Sequence, residues 1–168
     1  MRTNRVWRLL PLAVLIAILT VSVCAWRNLV NRIPSTGSMI KQFKAHRPTL
    51  DQLRAMVETE RDVTFVSPGE DPKQLPGHLP TNTERWQEYN ALMKRADVNL
   101  GIELSADGHL YFWTSRVDGF LSGEMRGFAY CRQKPRPINS DLDRGPLPDR
   151  QDLQYQPITD NWYIVHDF

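Results

Sequence analysis

Hydrophobic positions along this chain follow three patterns, and each predicts a different kind of element. The first is a solid block: Leu9 to Trp26 reads LLPLAVLIAILTVSVCAW, with no charged residue. About 18 residues at a rise of 1.5 Å make a helix of roughly 27 Å, close to one bilayer hydrocarbon core. Arg8 and Arg27 bound the block, and Trp7 and Trp26 stand at its ends as interfacial aromatics would. The second pattern is a stripe. Met39, Phe43, His46, Leu50, Leu53 and Val57 recur at spacings of four, three, four, three and four. That predicts an amphipathic helix over about Ser38 to Glu60, kinked or split at Pro48. Trp86, Tyr89, Met93 and Ala96 repeat the stripe behind a capping box of Thr81 and Glu84, giving a second helix over about Asn82 to Ala96.

The third pattern has period two. Val63 to Val66 is a short β-branched strand. Residues 101–105 and 109–115 read as a hairpin across Ala106-Asp107-Gly108, and Arg116 to Gly123 as a second turn region. Glu124 to Cys131 follows as a third strand, in which Gly127 implies a bulge or a close backbone approach. Leu153 to Ile158 and Trp162 to Asp167 form a last hairpin around residues 159–161. Between these elements, Pro68, Pro72, Pro76 and Pro80 stand four apart, so no PxxP core exists and an extended loop is expected. Residues 132–152 are polar and proline-broken, with a short helical turn expected at 139–143.

The expected fold is α+β: an N-terminal transmembrane helix, then two amphipathic helices packed on a small antiparallel sheet. Residues 1–8 form a basic N-terminus, 9–26 the transmembrane helix, 27–37 a juxtamembrane linker and 38–168 the α+β domain. A cleaved signal peptide competes with the anchor, because Val23-Cys24-Ala25 is an acceptable cleavage pattern behind Arg2, Arg5 and Arg8. Acylation of Cys24 is a third alternative, although Val23 stands where such signals want a small residue. The length of the span and its paired tryptophans favour an uncleaved anchor. Three arginines within eight residues are hard to translocate, which places the N-terminus in the cytoplasm and the domain outside it.

Charge removes one class of function. The formal net charge of +2 comes from the N-terminus: without Arg2, Arg5 and Arg8, 18 basic residues face 19 acidic ones. A nucleic-acid binder shows a basic excess that this domain lacks. The basic run from Arg27 to Arg47 suits anionic headgroups or plain solvation better. Cys131 is alone in the domain, so no internal disulfide framework exists, and a buried apolar role is expected for it.

The strings GEMRGFAYC and YQPITDNWYIVHDF, with Asp141-Leu142-Asp143, resemble a group of small bacterial membrane-anchored proteins. Its members carry a hydrophobic N-terminus, a helix leading into a short strand, a GFAY-like strand and a closing YxPI…NWY hairpin. The likeness covers most of residues 39–168 and implies this architecture in a bacterial, membrane-associated protein. It implies no activity and no catalytic residue.

None of the phosphate-loop, dinucleotide, nucleophile-elbow, CxxC, HExxH or EF-hand patterns occurs. No residue is therefore assigned to catalysis, to a cofactor or to a metal. His46, His78, His109 and His166 fall on four different elements. His46 reads as a packed, hydrogen-bonded side chain, and His78 as a solvated loop residue. Asp107, Asp141 and Asp143 read as turn and cap residues, and Asp167 points to the opposite sheet face from His166. Two functional classes remain. One is an anchored, non-catalytic binding or accessory domain of the bacterial envelope, holding lipid through its N-terminal helix and an envelope protein through its sheet face or through Tyr111, Trp113, Trp162 and Tyr163. The other is a hydrolase or metal-dependent enzyme, which needs a concavity gathering His109 or His166 with Asp141 or Asp143. No small-molecule substrate is identifiable from the sequence.

Overall fold

A buried apolar stripe carries the first helix straight through its proline. In the computed structural model, which describes residues 33–60, 63–69, 83–118, 123–148 and 153–168, helix α1 runs without a break over Thr36–Thr59. Pro48 lies inside it on the exposed side. The helix neither splits nor ends there, because Met39 and Phe43 before the proline and Leu50, Leu53, Met56 and Val57 after it are all buried against one core. One missing N–H costs less than unpacking either half. The helix starts two residues before the expected Ser38, since Ser35 caps it by accepting the Ser38 N–H at 3.3 Å. Helix α2 spans Thr83–Arg95 and buries Tyr89, Leu92 and Met93. Thr81 and Asn82 of the expected capping box lie outside the described residues, as do His78, the loop 70–80 and the whole of Leu9–Trp26. Among the described residues no helix is long and apolar enough to cross a membrane.

Six strands complete the unit that closes on itself over Ile33–Phe168: β1 (Phe65–Val66), β2 (Gly101–Leu104), β3 (Leu110–Asp118), β4 (Gly123–Tyr130), β5 (Gln154–Thr159) and β6 (Trp162–Asp167). They form one antiparallel sheet in the order β1-β2-β3-β4-β6-β5. The expected meander of β2, β3 and β4 is present, and the last hairpin extends it through β6. The β3–β4 hairpin is longer than its sequence suggested. Ser115 to Asp118 pair with Arg126 to Gly123 beyond a bulge at Thr114, so part of the expected turn region is strand. The bulge holds because the Thr114 hydroxyl donates to the Arg126 carbonyl at 2.9 Å.

Alternation divides the sheet into two apolar faces. One carries Ile102, Phe112, Phe128, Trp162 and Ile164 beneath both helices, with Phe43 of α1 5.3 Å from the Trp162 ring and 5.6 Å from Phe128. The other carries Tyr111, Trp113, Ala129, Cys131, Tyr155, Tyr163 and Val165, flanked by Ile138 and Leu153 from the long connection into β5. That connection also runs along the outer edge of β5. Asn139 N–H donates to the Tyr155 carbonyl at 2.9 Å, and Tyr155 N–H to the Pro137 carbonyl at 3.1 Å. Ile138 and Tyr155 form a parallel bridge there.

Gly127 marks a close backbone approach, as its place in the strand implied. A Cβ at this position would collide with the Phe112 carbonyl oxygen, which belongs to the neighbouring strand and cannot swing aside. Gly127→Ala is expected to destabilise the domain by about 3 kcal/mol, the upper end of overpacking costs. Urea unfolding at neutral pH measures this, with Ala129→Gly as the opposite change one turn of the pleat away.

Candidate functional site

Strand periodicity puts an arginine where an apolar side chain belongs. Arg126 stands on the same face of β4 as Phe128, and it is only 2% exposed. Isolated burial of a guanidinium is costly, so its N–H groups must find partners. Nη1 donates to the Pro34 carbonyl at 2.6 Å and to Asp143 Oδ1 at 2.8 Å. Nη2 donates to the Leu142 carbonyl at 3.0 Å and faces Nδ1 of His166 at the same distance. Only Nε is left without a partner among the described residues. One side chain thus ties together four segments: β4, β6, the approach to α1, and a 3-10 turn at Leu142–Arg144.

His166 is the direct cross-strand neighbour of Arg126 and is 3% exposed. Arginine has no acceptor, so Nδ1 must carry the lone pair that receives the Arg126 N–H. The proton therefore sits on Nε2, which donates to Glu124 Oε2 at 3.3 Å. Burial, reinforced by the guanidinium charge and opposed by Asp143, pushes the His166 pKa down to about 4. The ring is neutral at pH 7, and the Phe168 ring stacks on it with centroids 3.7 Å apart.

Asp143 completes the cluster from the 3-10 turn, itself capped by Asp141 through a 3.2 Å bond to the Asp143 N–H. Its oxygens accept the Thr36 N–H at 2.9 and 3.0 Å, and Oδ1 lies 3.1 Å from the Thr36 hydroxyl. Partial burial alone would raise its pKa. Arg126 and the two Thr36 donors outweigh that and hold it below the usual carboxylate range. A negative side chain on the first N–H groups of α1 also suits the positive end of the helix dipole. Gln156 Oε1 accepts the Leu142 N–H at 3.2 Å, and Asn139 and Gln154 join at 2.9 Å to hold the same loop on β5.

These groups border an open concavity of about 420 Å³, lined among others by Ser35, Glu124, Arg126, Asp143, His166 and Phe168. Of the sequence candidates, the structure brings His166 and Asp143 together. It leaves His109 on the aromatic face, its ring 6.5 Å from those of Tyr111 and Tyr155. Asp107 stays in the β2–β3 turn, bonded to Ser105 and to the His109 N–H. His46 is half-buried at the rim of α1, 3.5 Å from Asp97. Cys131 is fully buried, and burial, with Asp107 adding to it, pushes its thiol up to about 12, which removes it as a nucleophile near neutral pH.

One expectation needs correction. Tyr111, Trp113, Trp162 and Tyr163 do not form a binding surface, because all four are buried: Trp162 lies under α1 and the other three pack on the opposite face. The residues that organise the cluster, Arg126 and Thr36, were also not singled out by sequence. The available signal was Arg126 itself, an arginine in phase with Phe128 on a core-facing strand position.

The arrangement holds rather than reacts. Both ring nitrogens of His166 are engaged, one as acceptor and one as donor, which leaves no bare lone pair for a metal. Among the described residues no group of three or more His, Cys, Asp or Glu side chains is placed to hold a metal ion. Comparison with known proteins returned no matching family model, no similar curated protein and no similar solved structure. The likeness to bacterial membrane-anchored proteins rests on the quoted motifs alone.

Arg126→Met is expected to cost about 3 kcal/mol, at the low end for breaking a buried pair because Asp143 is partly exposed. Chemical denaturation checks the loss. With the guanidinium gone, the His166 pKa should also rise, which an NMR titration of the ring reads independently.

Proposed function

We propose that the chain is a membrane-anchored, non-catalytic binding or accessory domain of the bacterial envelope. The observation that carries this reading is the charge-free stretch Leu9–Trp26, set between Arg8 and Arg27 just ahead of the folded unit that begins at Ile33. On this reading the protein crosses the inner membrane once, with Arg2, Arg5 and Arg8 in the cytoplasm and the α+β domain outside. Lipid is held by the N-terminal helix, and the working partner is another envelope protein. The likeness of the GFAY strand and the closing NWY hairpin to bacterial membrane-anchored proteins supports the same placement.

The non-catalytic part of the proposal draws on the clasp. Its charged groups face one another and the backbone at the root of α1, an arrangement suited to fixing the entry of the chain into the domain. The second reading, a hydrolase or metal-dependent enzyme, has one observation in its favour: His166 and Asp143 share a concavity. Against it, a ring with a pKa near 4 is a weak base at neutral pH, and Arg126 occupies the space between the two residues.

Replacing Leu15 and Ile16 together with arginine tests the anchor. At roughly 2.5–3.5 kcal/mol per charge near a span's centre, the variant should leave the membrane fraction. Retention there would overturn the anchored reading. Protease treatment of intact cells and of inverted vesicles, with the mature chain sized in parallel, reads orientation: digestion from outside at full length is the expected result.

A further inference from the structure

We propose that protonation of His166 releases the first turn of α1 from the sheet, so that the Arg126 clasp is an acid-sensitive catch. The argument begins with hydrogen-bond polarity. Arg126 supplies only donors, and His166 meets it with its one unprotonated nitrogen at 3.0 Å. A proton added to His166 must go onto that nitrogen, because Nε2 already carries the hydrogen that faces Glu124. An accepting contact then becomes donor against donor, and a neutral ring becomes a cation beside a buried cation.

The surroundings decide which contact gives way. From β4, His166 is faced by Arg126 and Glu124; from the 3-10 turn, by Asp143 across the guanidinium; from β5, by the uncharged Gln154 opposite it in register. Among the described residues the approach to α1 brings Ile33, Pro34, Ser35 and Thr36, which carry no charge. Glu124 is about half exposed and draws the ring outward, while the ring's own strand is paired on both sides. The free end of the system is Pro34–Thr36. It is held to the cluster by the Pro34 carbonyl on Arg126 and by Thr36 on Asp143. If Arg126 withdraws from the imidazolium, its Nη1 leaves both the Pro34 carbonyl and Asp143, so that Asp143 loses the partner that holds it against the Thr36 amide.

The sign follows from the two states. In the closed clasp the His166 pKa lies at about 4; in an opened, hydrated one it returns toward its ordinary value of 6.5. The clasp is therefore at full strength above pH 6.5 and weakens as pH falls toward 4. The opening equilibrium is expected to rise roughly 70-fold between pH 7.5 and 4.5. Asp143, held below its usual range, titrates later and does not account for this window.

The catch itself depends only on the folded unit. Its consequence, a looser joint between anchor and domain in an acidified envelope, rests on the anchored reading above. Hydrogen exchange of the full chain in lipid nanodiscs separates the two. After correction for intrinsic rates, protection of the Thr36 amide should fall roughly 70-fold between pH 7.5 and 4.5, while amides at Leu53 to Val57 of the same helix change little. His166→Gln keeps an acceptor for Arg126 and a donor for Glu124 at every pH, so its Thr36 protection should stay flat. An unchanged Thr36 protection in the wild type, or a pH response retained in H166Q, would overturn the proposal. An NMR titration of wild-type His166 serves if the variant fails to fold: a midpoint near 6.5 in the intact domain also overturns it. Failure of the anchor would show instead as loss of the chain from floated membranes, with the exchange result untouched.

Discussion

A guanidinium buried on a sheet face cannot be left half satisfied, and in this domain that constraint dictates where several other parts must go. Arg126 needs acceptors from more than one direction, and the chain supplies them from the Pro34 and Leu142 carbonyls, from Asp143 and from His166. The loop after β4 must fold back far enough for its 3-10 turn to reach the helix start, and α1 must begin within reach of β4. Hydrophobic burial dominates the energy of the fold, but apolar contacts are non-directional. The cluster gives the helix root and the loop one position each. Replacing such a cluster by apolar side chains can be neutral in stability. Its value here is better read as positional.

The periodic parts of the fold were legible. The stripe from Met39 to Val57 marked α1, and alternation marked the strands, because both reflect burial of one face of a regular element. What the pattern missed has physical reasons. Pro48 looked like a break because local propensity ignores the core on either side of it. The β3–β4 hairpin looked short because the bulge at Thr114 shifts the alternation by one, and the turn residues beyond it resemble a loop. The aromatic residues of β3 and β6 looked like a surface because a sequence does not say that both faces of the sheet are covered.

The candidate site was the least legible part. Thr36, Arg126, Asp143 and His166 are separated by long stretches of chain, and no short motif joins them. Asp143 and His166 were weighed as a pair for catalysis; the residue that makes sense of them was Arg126, which sits between. An arginine in phase with core phenylalanine is a readable anomaly, yet its partners include two backbone carbonyls that carry no sequence signature at all. Tertiary polar networks of this kind are visible only once the topology has placed their backbone members.

The way the sheet ends limits how this domain can recognise anything. One margin is β1, two residues long; at the other, Pro137 and Asn139 already occupy the backbone groups of Tyr155, and Pro157 has no N–H to offer. An incoming strand finds no continuous ladder to join at the β5 margin, so recognition by strand addition there is blocked, as is stacking of copies along that edge. Under the anchored reading proposed above, copies held in two dimensions would meet often, and a template-competent margin would be a standing hazard. At that margin a partner is left to read side chains, where specificity comes from residue identity rather than from backbone geometry common to every sheet.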